Sequence, residues 1–414
     1  MKSFFRSGFF LGCALVFWSC PGRHEVQLQP VGMSMRLVPD AELPSFTDLF
    51  EPKALHQALA YQRDWLQKQD AARTWTFGEF VADRAHMIAS LDRFESLWKT
   101  HAGKPQALRQ AIAQEFDCYQ VHFDGSSEML ITSYHAPIYR GALVQSAEFP
   151  HPIYARPQDL IRIRPSLFPE KFLRPGESLR NDRVVARLDS KTQDVVPYYT
   201  RTQIDKEGAL AGRGLELCYL AGYMDAFLFH VQGGGFVELP DGRFLRLNYA
   251  DKNGHPYSSI GRILVDEGII PKDELNLPKV LDYLRSNPGE MERVCFMNES
   301  YVFYQADKEI YIQLRPDIFP HGVMGFPVTP QRSIATDKRH FPGGMLGYVQ
   351  GGKPLVGEPA QILGAFVLDQ DTGGAIVDAH LDFFAGAGKE AEALAGIMND
   401  PSGSLYFLVL KPQQ

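Results

Sequence analysis

The chain has 414 residues, 45% of them apolar and 22% charged. That composition belongs to a packed globular protein and excludes a disordered one, and the length allows one large domain or two to three ordinary ones. A formal net charge of −7 argues against a nucleic-acid binder, whose affinity would rest on a basic patch.

Residues 1–20, MKSFFRSGFFLGCALVFWSC, read as an export leader. Lys2 and Arg6 precede an apolar run from Gly8 to Trp18, shorter than the roughly 20 residues of a membrane-spanning helix. Ser19-Cys20 resembles the end of a lipobox, in which Cys20 becomes the lipidated N-terminus. Phe17 and Trp18 are bulkier than usual there, and ordinary signal cleavage without lipid stays open. Residues 21–44 read as a polar, Pro-containing tether.

Helical periodicity follows. Leu55, Leu59 and Leu66 share a face of Glu51–Gln69. Met87, Leu91, Phe94 and Trp98 do the same in Phe77–His101, and Leu108, Ile112 and Phe116 in Pro105–Phe116. From Tyr119 the pattern turns to strands: EMLITSY (128–134), RVVARLD (183–189), LELCYLAGY (215–223) and AFLFHVQ (226–232). Pro-Asp-Gly at 240–242 predicts a hairpin of FVEL and FLRLNY. Ser258–Gly268 and Pro278–Asn287 read as helices. YVFYQ, EIYIQL, GFPVT, MLGYVQ, AFVLDQ, AIVDAH and LYFLVL read as a final run of strands. The order is α+β, mainly β, with barrel-like sheets.

Beyond the leader, Cys118, Cys218 and Cys295 are far apart and lie in apolar surroundings. They read as buried free thiols, without a disulfide framework or metal spacing. The histidines form no metal-binding cluster, and nothing in the chain calls for a cofactor.

Three stretches carry candidate chemistry. In FHVQGGGFVELPDG (229–242), Gln232 beside Gly233 and Gly234 is either a sugar subsite or a β-bulge. In NYADKNGHPYSSIGR (248–262), Tyr257 has a ring to stack on a sugar, and Ser258, Ser259 and Arg262 have groups to bond hydroxyls. The same string also reads as a turn and a serine helix cap. In DTGGAIVDAHLDFFAG (371–386), Asp371 and Asp382 are either a catalytic carboxyl pair or a turn followed by a strand.

Together with TSYHAPIYRGA (132–142), HPIYARP (151–157), VPYYTRTQI (196–204), NESYVFY (298–304) and TPQRSIATDKRHFP (329–342), these strings occur in an order that resembles the membrane-bound lytic murein transglycosylase A family. The resemblance runs from about residue 128 to the C-terminus. It implies a double-psi β-barrel domain with flanking N-terminal helices, from residues 45–132 and 321–414. A smaller β-barrel, residues 133–320, is inserted into it, with the substrate groove between the two. It maps the family's three aspartates onto Asp337, Asp371 and Asp382, with Asp382 catalytic, Asp371 its neighbour and Asp337 structural, supported by Tyr301. Tyr134, Gln232, Gly233, Gly234, Tyr257, Ser259 and Arg262 become glycan contacts. Three motifs depart from the family pattern: Ser133-Tyr134-His135-Ala136, Gly233-Gly234-Gly235 and Asn298-Glu299-Ser300.

The implied activity is cleavage of peptidoglycan glycan strands without water, by attack of the muramic acid C6 hydroxyl on its own C1. One protonated carboxyl then serves twice, first as acid and then as base. Such an enzyme is expected to be monomeric, to need no cofactor, metal or nucleic acid, and to hang from Cys20 at the periplasmic face of the outer membrane. Pro21 after the cysteine agrees with outer-membrane sorting. A hydrolytic glycosidase on the same fold and a non-catalytic peptidoglycan binder are the rival readings.

Overall fold

The computed structural model describes residues 32–101, 103–164, 167–168, 184–275, 277–354, 361–374 and 376–412. The leader, Cys20 and the start of the expected tether lie outside them. Among the described residues, no helix is long and apolar enough to cross a membrane. The chain forms two compact units. One is Pro137–Leu314, an insert whose limits fall inside the expected 133 and 320; the other is built from the segments that flank it.

The flanking unit starts earlier than expected. Residues 33–37, assigned to the tether, are strand β1 (Met33–Leu37), paired antiparallel with Phe116–Phe123. Met35 is its one buried side chain, enough to dock a short edge strand. Helix α1 (Pro52–Gln67) buries Leu55, Leu59 and Leu66. The helix expected from Phe77 begins only at residue 84. Before it, β2 (Thr74–Phe77) and β3 (Phe80–Asp83) make a hairpin. Trp75 and Phe77 alternate inward there, and Gly78 turns the chain at φ 56°, a conformation glycine adopts without a Cβ penalty. The Asp83 carboxylate accepts from His86 N and starts α2 (Arg84–Thr100). Then come α3 (Pro105–Glu115), β4 (Phe116–Phe123) and β5 (Met129–Ala136).

The insert holds β6 (Ile138–Ala142), β7 (His151–Tyr154), β8 (Ile161–Ile163), β9 (Val184–Leu188), β10 (Val195–Pro197) and β11 (Glu216–Leu220). Helix α4 (Tyr223–Gln232) follows, then β12 (Gly235–Glu238), β13 (Phe244–Lys252), α5 (Ile260–Asp266), α6 (Leu277–Ser286), α7 (Pro288–Phe296) and β14 (Val302–Tyr311). Six strands pair in the order β14-β13-β12-β6-β11-β7, and β10-β9-β8 form a separate sheet. The Pro-Asp-Gly turn joins β12 to β13 as predicted, with Gly242 at φ 79°. The expected strand at 226–232 is instead α4. Ala, Leu and Phe dominate that run, and its single β-branched residue, Val231, gives little reason to extend.

The rest of the flanking unit is β15 (Ser333–Ala335), β16 (Leu346–Pro354), β17 (Ile362–Asp371), β18 (His380–Ala387), α8 (Lys389–Ile397) and β19 (Asn399–Leu410). GFPVT and residues 376–379 are not strands: the first is a bend with one isolated bridge, Pro327 to His321, and the second ends in a bend. One eight-stranded sheet runs β1-β4-β19-β16-β17-β15-β18-β5, and β19 also pairs with β5, which closes six of its strands into a ring. α1 and α2 pack onto this sheet through one core that includes Leu59, Phe94, Phe366 and Phe407. Each such side chain contributes about 1.5–3 kcal/mol on burial. Arg332, at the mouth of β15, is fully buried and holds both carboxylate oxygens of Asp48, at 2.6 and 3.0 Å.

Candidate active site

Strand β15 is three residues long and entirely buried. Its last residue, Ala335, is in register with Asp371 on β17 to one side and with Asp382 on β18 to the other. Two aspartates 11 residues apart in sequence are thereby set at one level of the sheet, one strand apart. On the far side of β18, Thr132 of β5 is opposite Asp382 and Tyr134 opposite Phe384. Thr132 and Tyr134 are two residues apart on a strand, so they share a face.

Asp382 is buried, at 5% exposure. Thr132 Oγ1 donates to its Oδ1 at 2.7 Å, and the same hydroxyl is 2.8 Å from His380 Nε2. Burial raises the Asp382 carboxyl from 3.8 to about 7, the Thr132 hydrogen bond pulls the other way, and the negative field of Asp371 adds to the rise. Asp382 therefore holds a proton close to neutral pH.

Asp371 ends β17. Tyr134 donates its hydroxyl to Oδ2 at 2.8 Å, while the Val323 and Thr372 backbone N–H groups donate to Oδ1 at 3.0 and 2.8 Å. Burial pushes this carboxyl upward too, opposed by its three donors and by the charge of Lys338. Three donors on Asp371 against one on Asp382 make Asp371 the better carboxylate and Asp382 the better holder of a proton. Lys338 is itself fixed by Thr336 Oγ1 at 2.8 Å and by the buried carboxylate of Asp369. Phe384 packs on Tyr134 with ring centroids 5.0 Å apart. Phe383, one residue earlier, faces the opposite way into the core.

Asp337 serves a different purpose. Its carboxylate accepts from the Arg339 backbone and guanidinium and from the Asp378 N–H. Burial acts to raise it, but these donors outweigh that and hold it at about 2. Asp337, His340 and Asp378 bring ligand-type atoms within 4.8 Å of one another. Arg339 bridges the two carboxylates, so the cluster already has its cation.

The remaining sequence candidates belong to the insert. Gln232 is half-buried at the end of α4, and Gly233 follows as its left-handed cap, its N–H bonded to Phe229 O. Gly234 leads from that cap toward β12. The glycine run is thus a helix end, not a β-bulge. Ser259 is buried and caps α5 by accepting from Arg262 N. Arg262 is exposed and pairs with Asp266 at 2.8 Å. Tyr257 is half-buried, its hydroxyl pushed up mainly by burial, which the charge of Arg201 opposes. Tyr301 is fully buried beside Arg201, which donates to the Asn298 and Ser300 carbonyls. Cys118, Cys218 and Cys295 are buried and free, as read from the sequence.

Sequence reasoning missed Thr132, His380 and Lys338. Thr132 opened a quoted motif and His380 stands two residues before Asp382, so the signal was available: polar residues on the same face as a catalytic candidate.

Two family models match the chain: the MltA specific insert domain over residues 130–305 and the 3D domain over residues 332–409. Membrane-bound lytic murein transglycosylase A of Vibrio cholerae is 33% identical over 205 residues, 48% of this chain and 52% of that protein. The match therefore spans about half the length of that relative. The protein of the same name from Escherichia coli K12 is 26% identical over 324 residues, covering 76% of this chain and 74% of its own. The crystal structure of a membrane-bound lytic murein transglycosylase from Agrobacterium tumefaciens superposes with a TM-score of 0.71 at 26% identity, over 91% of this chain and 98% of that one. With insert and 3D domain both present and in order, this chain belongs to the membrane-bound lytic murein transglycosylase A family.

Proposed function

We propose that this chain is a peptidoglycan lytic transglycosylase that cleaves the β-1,4 bond between N-acetylmuramic acid and N-acetylglucosamine and leaves a 1,6-anhydro-muramoyl end. Asp382 acts as both acid and base. The observation that carries this reading is a carboxyl buried beside a second carboxylate and raised to about 7. Protonated Asp382 gives its proton to the leaving glycosidic oxygen. As a carboxylate it then takes the C6 hydroxyl proton while that oxygen closes on C1. A hydrolase needs a second carboxylate free to attack or to activate water. Both oxygens of Asp371 are occupied by three donors, which suits a fixed negative charge that stabilises the developing oxocarbenium ion. The relatives' names agree with this activity.

The closed ring of six strands supports a double-psi β-barrel for the catalytic unit. Of the insert's candidates, Gln232 is half-buried at a helix end; Gln232→Ala should raise KM and leave kcat in place. Attachment through Cys20 at the periplasmic face of the outer membrane belongs to the same reading. Labelling with a palmitate analogue, lost in Cys20→Ala, tests it. The central experiment is digestion of purified murein sacculi with product masses. Anhydro-muropeptides support the proposal, reducing ends make the chain a hydrolase, and intact sacculi make it a binder.

A further inference from the structure

We infer that His380 is a positioning residue acting on Asp382 through Thr132: its Nε2–H fixes the direction of the Thr132 hydroxyl, which occupies Asp382 Oδ1 and leaves the catalytic proton to Oδ2. The inference rests on the reading of Asp382 as acid and base. The three side chains are buried together, Thr132 at 0%, Asp382 at 5% and His380 at 6% exposure. His380 and Asp382 are two residues apart on β18, so they share a face, and Thr132 is opposite Asp382 on β5.

The proton count decides the polarity. Thr132 Oγ1 lies 2.7 Å from Asp382 Oδ1 and 2.8 Å from His380 Nε2. A threonine hydroxyl has one hydrogen and two lone pairs. An ionised Asp382 only accepts, so that hydrogen points at Asp382, and the hydroxyl oxygen accepts from its other neighbour. In this arrangement it is Nε2 of His380 that carries hydrogen. A proton placed on Oδ1 would have to donate to Thr132, whose own hydrogen would then face the Nε2–H. That clash is removed when the proton sits on Oδ2. Without the imidazole N–H, the hydroxyl is free to rotate, and Oδ1 competes for the proton that the glycosidic oxygen needs.

The test compares Thr132→Val, His380→Phe, their double variant, Thr132→Ser and His380→Gln on soluble glycan strands. A lost hydrogen bond to a charged group predicts that Thr132→Val and His380→Phe each lower kcat by about ten- to a hundredfold, with KM within about twofold. The double variant should be no slower than the worse single one, because both break the same chain. Thr132→Ser keeps the hydroxyl and His380→Gln keeps an N–H where Nε2 stood, so both should retain kcat within about fivefold. Wild-type kcat in His380→Phe, or multiplied losses in the double variant, would overturn the inference. Imidazole nitrogen shifts, assigned by difference with His380→Gln, provide a readout independent of turnover: an Nε2–H tautomer supports the relay and an Nδ1–H tautomer ends it. If wild-type protein releases no anhydro product, the acid–base reading falls by itself, and the tautomer still decides the hydrogen-bond chain.

Discussion

Asp371→Asn removes a negative charge while keeping the shape of the side chain, and its effect on Asp382 follows from the sheet. The two residues flank Ala335, so their Cα atoms stand two strand spacings apart, about 9.6 Å. At an effective dielectric of about 20, unit charges at that distance interact by about 1.7 kcal/mol, or about 1.3 pH units. That is the lesser part of the rise from 3.8 to about 7, which agrees with burial being the first cause and Asp371 the smaller one. In the proposed mechanism the acid form of Asp382 starts the reaction, so rate falls on the alkaline side as the proton leaves. Removing the repelling charge lets it leave earlier, and the alkaline limb of Asp371→Asn should move down by about one pH unit. The assay is the initial rate of anhydro-product release from soluble glycan strands between pH 4.5 and 9 at constant ionic strength. A limb that stays in place, or moves to higher pH, would refute the electrostatic role of Asp371.

Asp382→Asn should abolish product formation yet stabilise the fold at alkaline pH. The folded-state value of about 7 lies above the ordinary 3.8, so folding takes up a proton between those pH values and stability declines as pH rises through them. The amide removes a penalty on the order of 4 kcal/mol at pH 8 and little at pH 4; an equal melting shift at both pH values would contradict it. Gly322→Ala should lower both activity and Tm. The new Cβ would stand 2.7 Å from Gln370 O and 3.2 Å from Asp371 Cγ, forcing the turn that offers Val323 N to Asp371 to move, at about 1–3 kcal/mol; a fully active variant of unchanged Tm would show that the turn yields freely. Asp337→Asn should lower stability at neutral pH by about 2 kcal/mol while folded molecules keep their kcat. Because the Asp337 carboxyl is depressed to about 2, the wild-type advantage is present above pH 4 and fades as pH falls toward 2, which denaturation at pH 7 and pH 2.5 measures.

Local signals in the sequence went as far as local physics goes. The apolar rows of α1 and α2 and the Pro-Asp-Gly turn were legible because period and turn chemistry act within a few residues. The run AFLFHVQ was not, since seven apolar or neutral residues fit either period; the left-handed Gly233 behind it was the informative mark. The later part of the hairpin, from Phe77 to Asp83, was absorbed into a helix because its apolar residues join smoothly onto the α2 pattern. At the site, the aspartates stood out by motif, but their facing positions depend on Ala335, a residue with no chemistry of its own. The partnership of Thr132 with Asp382 spans 250 residues, a distance over which no periodicity carries information.

That same separation has a consequence for the nascent chain. β5 emerges early, while β15, β18 and β19 close the ring only when nearly all of the sequence has been made. The insert, with apolar clusters of its own, consists of a continuous stretch and can condense before that ring closes. Asp382 has neither its hydroxyl donor nor its charged neighbour until translation of the last strands is complete. Until the ring closes, the Asp382 carboxyl is an ordinary solvated acid, ionised at neutral pH. In the proposed mechanism the acid exists only once the ring has closed.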